Sequence, residues 1–344
     1  MLGKSERDAI VSYAAALCLP RSEMTILITG GAGYIGAHVV AALRGRPVVV
    51  VDDLSTGSAS RVPDAHVARL DVATSSASEA LVELMRDWRV DAVVHLAARK
   101  RVDESVSRPL VYYQQNVMGL CNVVDAMAKA GVRRLVFSSS AAVYGETSGA
   151  RVLESHPVLP VNPYGRTKLI GEWLCRDIVS TGLIDVVALR YFNVAGACRP
   201  ELGDPAALNL ATIVIDRLVR GEVPTIFGDD YPTPDGTCVR DFVHVGDLAG
   251  AHVAALDGMA NGLVSGFVVF NIGTGHGASV REVVGRLIEL SGRDIEPTVA
   301  SRRKGDPASV VACADQIERQ LGWKAAWGLE EILTSAWDAR CQLG

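Results

Sequence analysis

The 344-residue chain has no surplus of positive charge: 34 lysines and arginines stand against 39 aspartates and glutamates, a formal net charge of -5. A nucleic-acid binder normally carries a basic patch or stripe, so the balance argues against that class. Cys-x-x-Cys pairs are also missing. The seven cysteines (Cys18, Cys121, Cys175, Cys198, Cys238, Cys313, Cys341) are odd in number and scattered, which fits reduced thiols in the cytoplasm better than disulfides or a zinc site. The seven histidines show no ligand spacing, so no metal is expected, and His244 and His252 read as packing or surface residues. Without a Gly-x-Ser-x-Gly elbow, a hydrolase nucleophile is disfavoured. The apolar run Ala9–Cys18 is too short to span a bilayer. Lys4 and Arg7 precede it as in a signal peptide, but a cytoplasmic-type nucleotide fold begins at once, so residues 1–23 read as an extension ahead of Met24.

What is present is an ordinary soluble composition, 49% hydrophobic and 21% charged, in a chain long enough for two lobes. Thr25–Thr29 is an apolar, β-branched run, as expected of a strand buried on both faces. It leads into Gly30-Gly-Ala-Gly33-Tyr34-Ile35-Gly36 and a helical segment, Ala37–Arg44. Strand, glycine turn and helix is the context a dinucleotide site needs: the backbone can approach a pyrophosphate, and the helix N-terminus offers N–H groups and the positive end of its dipole. A second strand, Pro47–Val51, ends at Asp52, 22 residues after Gly30. That is close to the roughly 20 expected of an acid on the adenosine ribose, and a carboxylate there favours NAD over NADP. His66–Leu70 reads as a third strand, with Asp71-Val72 at its end where an adenine could be held. A helix over Ser78–Trp88, a strand over Ala92–Leu96 and small Ala97-Ala98 follow. Next come Asp103–Tyr113, a helix to about Ala130, and a strand from Arg133 into Ser138-Ser139-Ser140. The alternation predicts an α/β fold: a Rossmann-type, doubly wound parallel sheet with a smaller mixed α/β substrate-binding lobe.

Tyr164 and Lys168 are four residues apart, one turn of a helix, and a cation beside a phenol lowers the phenol's pKa toward the range of a base. A serine run at the carboxyl end of a central parallel strand lies where such sheets bind ligands. After the strand Ile184–Arg190 the pattern loosens, and Arg240 with Arg302-Arg303-Lys304-Gly305-Asp306 supply charge for a substrate phosphate. The expected division is an extension over 1–23, an NAD-binding domain over 24–193 carrying the catalytic residues, and a mainly nucleotide-sugar-binding lobe over 194–344, with the return of some segments to the first domain left open.

Thr29–Gly36, Asp52, Ser140, Tyr164 with Lys168, Leu189-Arg-Tyr-Phe-Asn193, Ile226–Val245 and Arg303–Asp306 together resemble the extended short-chain dehydrogenase/reductase family, and within it the UDP-hexose 4-epimerases. The resemblance runs from about Met24 to the C-terminal region. It implies interconversion of UDP-glucose and UDP-galactose at C4 through a transient 4-keto sugar with tightly bound NAD. By position it implies Ser140, Tyr164 and Lys168 as catalytic. Gly30, Gly33, Tyr34, Ile35, Gly36, Asp52, Asp71, Val72, Lys100, Asn116, Tyr164 and Lys168 are implied as NAD contacts. Ser140, Asn193, Asn209, Leu210, Arg240, Arg303, Asp306 and Val310 are implied for the UDP-hexose. It also implies a cytoplasmic homodimer with no nucleic-acid or membrane partner. Ala141 and Ala142 stand where related sugar 4,6-dehydratases carry an Asp-Glu pair, which disfavours dehydration. Three departures leave the sugar preference open: extra charge in Arg99-Lys100-Arg101, a short Ala197–Leu208 loop, and Thr212 in place of a frequent proline. Val310 aligns with a position that is Tyr in enzymes limited to glucose and galactose and small in those admitting N-acetyl sugars. Epimerases of UDP-N-acetylhexosamines or UDP-pentoses, a net dehydrogenase and a non-catalytic NAD-binding sensor are the competing readings.

Overall fold

The computed structural model describes residues 24–147, 151–206, 208–303 and 306–343. The expected extension over 1–23, with Lys304 and Gly305, lies outside them. The first half runs β1 (Ile26–Thr29), α1 (Tyr34–Ala42), β2 (Val48–Asp52), β3 (His66–Arg69), α2 (Ala77–Asp87), β4 (Ala92–His95), α3 (Val102–Ser107), α4 (Pro109–Tyr112), α5 (Gly119–Ala130), β5 (Arg134–Ser140), α6 (Pro163–Ser180) and β6 (Asp185–Tyr191). A π-helical turn over Tyr113–Met118 joins α4 to α5. The second half runs β7 (Asn193–Ala195), α7 (Leu210–Val219), β8 (Thr225–Phe227), β9 (Val239–His244), α8 (Val245–Ala260), β10 (Phe267–Ile272), β11 (Gly277–Ser279), α9 (Val280–Ser291), β12 (Thr298–Ala300), β13 (Ser309–Val310), α10 (Asp315–Leu321) and α11 (Leu329–Leu343).

Seven parallel strands form the main sheet in the order β10-β6-β5-β4-β1-β2-β3. Its strands read as unbroken apolar runs because both faces are covered, and the two-residue period divides them between two cores. Ile26, Ile28, Val94, Val136 and Leu189 point to one side with Val39 of α1 and Leu248 and Leu256 of α8. Leu27, Val93, Leu135, Phe137 and Ala188 point to the other with Leu81 of α2, Leu120 and Met127 of α5 and Cys175 of α6. Strand β10 and helix α8 therefore carry the second half of the chain back into the first layer.

The remainder builds a smaller lobe. Its core joins Val214 and Leu218 of α7, Phe242 of β9, Val283 and Leu287 of α9, and Ile332 and Leu333 of α11. Strand β9 pairs with β7, β11 and β13 and forms the centre of that lobe. Strand order reverses beside β1: β2 and β3 lie to one side, β4 to β6 to the other. In such sheets the crevice at the carboxyl ends of the strands at this reversal receives the ligand. Among the described residues no helix is long and apolar enough to cross a membrane.

Candidate active site

The crevice is a cleft of ≈ 270 Å³. Gly30, Gly33, Tyr34, Ile35, Gly36, Asp52, Asp71, Val72, Lys100, Tyr164 and Lys168 all line it, as does the Leu96–Arg101 segment after β4. The glycine positions are not equivalent. Gly30 has φ +72°, and a Cβ on it would lie 2.7 Å from the Ala97 nitrogen; one on Gly36 would lie 2.2 Å from the Gly30 oxygen. Those two are imposed by how β1, α1 and β4 pack. A Cβ on Gly33 would meet only the Gly30 oxygen, at 3.3 Å, so packing within the chain restricts this position far less. Gly33 is also the N-cap of α1, where no side chain caps the helix and no acid stands in the first turn. The positive end of α1 thus faces the cleft. The Asp52 carboxylate accepts from the N–H groups of Ala32 (3.0 Å) and Leu54 (2.9 Å), tying β2 to the glycine turn. Burial raises its pKa, and those two bonds oppose the rise. The Tyr34 hydroxyl donates to the Gly196 carbonyl at 2.5 Å and joins the glycine turn to the second lobe.

Helix α6 delivers Tyr164. Pro163 occupies the first turn, and the Asn162 side chain caps it by accepting from Gly165 N at 2.8 Å. A Cβ at Gly165 would stand 2.5 Å from the Ala142 oxygen, so the missing side chain lets the start of α6 close on the turn after Ser140. Tyr164 is half-buried there. Lys168 is 4% exposed; its ammonium donates to the Ser138 carbonyl at 2.8 Å and Oγ at 3.2 Å, and lies 6.0 Å from the centre of the Tyr164 ring.

The electrostatics correct one expectation. Burial raises the Tyr164 pKa, and the Ser140 hydroxyl, not Lys168, is what pulls it back down. Lys168 is itself pushed down to about 7 by burial, because its nearest partners are neutral oxygens.

The other expected residues divide. Asn116 is buried but not on the cleft wall. Its amide accepts from Arg99 N and donates to the Arg99 oxygen and Thr167 Oγ1, bracing the loop after β4 against α6. Ser140, Asn193, Asn209, Leu210, Arg240, Arg303, Asp306 and Val310 do not line this cleft; Ser138 and Ser139 of the same run do. Several of them meet in the second lobe: Arg240 pairs with Asp306 at 3.6 Å, and Val310 is in register with Arg240. The Arg303 guanidinium lies 4.0 Å over the Phe227 ring, while Arg302 is held by Asp230 and the Tyr231 ring. Val310 packs on a cluster containing Ala141, Leu169 and Phe192, beside the turn that follows Ser140. Asn209 caps α7 in a reciprocal box with Thr212, which accounts for the threonine: proline there would lack the N–H that Asn209 accepts at 3.0 Å.

Sequence reading missed Asp204, Pro205, Ala206 and Leu208, which close the cleft from the second lobe, with Lys100 3.7 Å from Asp204. Nothing in their spacing announces this; only the fold brings the loop across. His244 and His252 are fully buried packing residues, each hydrogen-bonded. Among the described residues no cluster of His, Cys, Asp and Glu could hold a metal.

The chain matches the NAD dependent epimerase/dehydratase family over residues 26–273. It is 47% identical to a UDP-glucose 4-epimerase of Azospirillum brasilense, over 87% of this chain and 86% of that one. It is 42% identical to UDP-glucose 4-epimerase 4 of Oryza sativa subsp. japonica, over 96% and 93%. Among solved structures, UDP-glucose-4-epimerase from Stenotrophomonas maltophila, with bound NAD and formylated UDP-arabinopyranose, superimposes with TM-score 0.87 at 37% identity, over 93% of this chain and 99% of that one. The Brucella ovis UDP-glucose 4-epimerase in complex with NAD gives TM-score 0.85 at 38% identity, over 91% and 97%.

Proposed function

Because the chain belongs to the NAD dependent epimerase/dehydratase family, we propose that it interconverts UDP-glucose and UDP-galactose by inverting C4 through a transient 4-keto sugar. The observation that carries the reading is that Tyr164 and Lys168 line the glycine-lined cleft together, with the Ser140 hydroxyl acting on the Tyr164 phenol.

The cleft suits NAD on features of its own. The uncapped start of α1, with Gly33 bare toward the cleft, suits a pyrophosphate. The Asp52 carboxylate at the end of β2 suits the ribose hydroxyls of NAD and repels a 2′-phosphate. Asp71 and Val72 would flank the adenine, and Lys100 the mouth. NAD bound here supplies reversible removal of hydride from the sugar C4. Tyr164 takes the proton of the 4-hydroxyl as general base, and Ser140 hydrogen-bonds the same oxygen and lowers the cost of the phenolate. Lys168 presents its ammonium beside the phenol and steadies the nicotinamide ribose. The 4-keto sugar turns within the cleft before its other face is reduced, and Tyr164 then returns the proton. Arg240, Arg303 and Asp306, with Asn193, Asn209 and Leu210, hold the UDP part from the second lobe, and Val310 borders the sugar. Residues 24–193 thus mainly serve NAD and 194–344 mainly the UDP-sugar.

Within the family, the turn after Ser140 favours epimerisation over dehydration: Ala141 and Ala142 have no side-chain group to move a proton. The enzyme acts as a homodimer. Val106, Leu110 and Met118 of α3, α4 and the π-turn are exposed beside α6, whose Trp173 is 54% exposed, and a second copy would cover them. Six described free thiols suit the cytoplasm. The test is incubation with UDP-galactose without added reductant, scoring the C4 configuration of the product. UDP-glucose without accumulating NADH is the expected result; unchanged substrate, or net reduction of NAD, overturns the reading.

A further inference from the structure

The π-helical turn over Tyr113–Met118 sends two neighbouring amides to different places. Asn116 goes to the Arg99 backbone and Thr167. Gln115 lines the cleft, and its Nε2 stands 3.3 Å from Oδ2 of Asp71, which lines the cleft as well. The start of α5 fastens the residues that follow Asp71. Asn122 Nδ2 donates to the carbonyls of Val72 at 2.8 Å and Thr74 at 2.9 Å. A Cβ on Gly119 would lie 3.0 Å from Val72 Cγ2, so the bare position lets the helix close on that side chain.

These bonds decide what Asp71 offers to the cleft. A carboxylate only accepts, so the Gln115 amide must present its nitrogen to it. Oδ1 takes the Ala73 N–H at 2.8 Å, and Oδ2 takes Gln115. Two donors, one on each oxygen, fix the plane of the carboxylate and still leave each oxygen a lone pair. Asp71 is half-buried, so it faces the cleft as an oriented, negatively charged acceptor with no donor of its own. A purine with an exocyclic amine matches that group. A purine with an oxygen in the same position sets acceptor against acceptor and is repelled.

We propose that Gln115 is a specificity-determining residue for the base of the dinucleotide: by holding the Asp71 carboxylate in place, it makes the cleft select a 6-aminopurine over a 6-oxopurine. This rests on the NAD-binding reading above. Gln115 acts through Asp71 and takes no part in the chemistry at the sugar. Without its amide, Asp71 is held by the Ala73 N–H alone and can turn away from an opposing oxygen, so the penalty against the oxo base falls.

The test titrates the full-length protein, freed of cofactor, with NAD and with nicotinamide hypoxanthine dinucleotide, in which an oxo group replaces the purine amine. Calorimetry reads the ratio of the two affinities. Wild type should bind NAD about tenfold or more tightly than the analogue. Gln115→Met, close in volume but unable to donate, should reduce that preference to about threefold or less, and the smaller Gln115→Ser should do the same. In an Asp71→Asn background, Gln115→Met should leave the ratio unchanged, because the carboxylate it positions is gone. A merely structural role would weaken both dinucleotides by the same factor. An unaltered ratio in Gln115→Met and Gln115→Ser, or a wild type that does not tell the two dinucleotides apart, overturns the inference alone. Wild type that binds neither overturns the NAD reading and the inference with it.

Discussion

Arg190 grips Glu172 with two prongs, Nε to Oε1 at 2.8 Å and Nη2 to Oε2 at 2.7 Å, and neither side chain reaches water. Ser139 Oγ donates to the same carboxylate at 2.5 Å, and Arg190 Nη1 donates to the Tyr144 hydroxyl at 2.8 Å. Glu172 is one turn beyond Lys168 on α6, so the pair pins the active-site helix to β5 and β6.

Breaking that pair from one side should leave a buried charge without its counter-charge. Glu172→Gln or Arg190→Met alone should cost about 3–5 kcal/mol in denaturant unfolding, whereas the double replacement Glu172→Leu with Arg190→Met should recover much of it. A double-variant loss equal to the sum of the two single losses would mean that the pair contributes no coupling.

The glycines of the first turn should separate folding from cofactor retention. Gly33→Ala should leave the melting temperature nearly unchanged when both proteins are NAD-free, yet lower the NAD that co-purifies. Gly36→Ala should lower the stability itself, since its Cβ would lie 2.2 Å from a backbone oxygen. Protein absorbance spectra for bound NAD and thermal melts check both.

Tyr164→Phe removes the proton acceptor and little volume. We expect kcat to fall by about 10²–10⁴, the usual worth of a positioned general base, with bound NAD retained. Loss of NAD in step with activity would move the role of Tyr164 from chemistry to binding.

Lys168 sets a pH dependence of stability whose sign is opposite to that of an ion-paired lysine. Its pKa is about 7 folded against 10.5 for the free side chain. Below pH 7 both states hold the proton and the cost of burial is felt in full, about 5 kcal/mol at most from that displacement. Between pH 7 and 10.5 the unfolded chain binds the proton that the folded one lacks, so this group makes stability rise with pH. Lys168→Met should be more stable than wild type near pH 6, with the gap closing toward pH 10, in melts at matched NAD content. A gap that does not change with pH would show the lysine's charge to be uncoupled from folding.

Val310 should tune the sugar. With a mid-sized side chain packed beside the turn that follows Ser140, the enzyme is expected to turn over UDP-GlcNAc weakly beside UDP-galactose. Val310→Tyr should cut the UDP-GlcNAc rate at least about tenfold more than the UDP-galactose rate. An enzyme active on UDP-galactose with no UDP-GlcNAc turnover at all refutes the idea.

Local chemistry was enough to read the Rossmann half from sequence. Buried strands such as Ile26–Thr29 show as continuous apolar runs, and Asn162-Pro163 marks a helix start wherever it occurs in such a pattern. Those features depend on neighbours a few residues away, so Gly30, Gly33, Gly36, Asp52, Tyr164 and Lys168 could be singled out directly. Proton affinities could not: the Tyr164–Lys168 spacing suggested that the lysine lowers the phenol's pKa, but desolvation by the surrounding layers raises it and depresses the lysine instead. Nor could spacing reveal that α8 and β10 return to the main sheet, that Asp204, Pro205, Ala206 and Leu208 close the cleft, or that His252 meets Tyr191. Such contacts join residues far apart in the chain, 61 positions for His252 and Tyr191, and chain folding alone fixes the dielectric and partners each group receives.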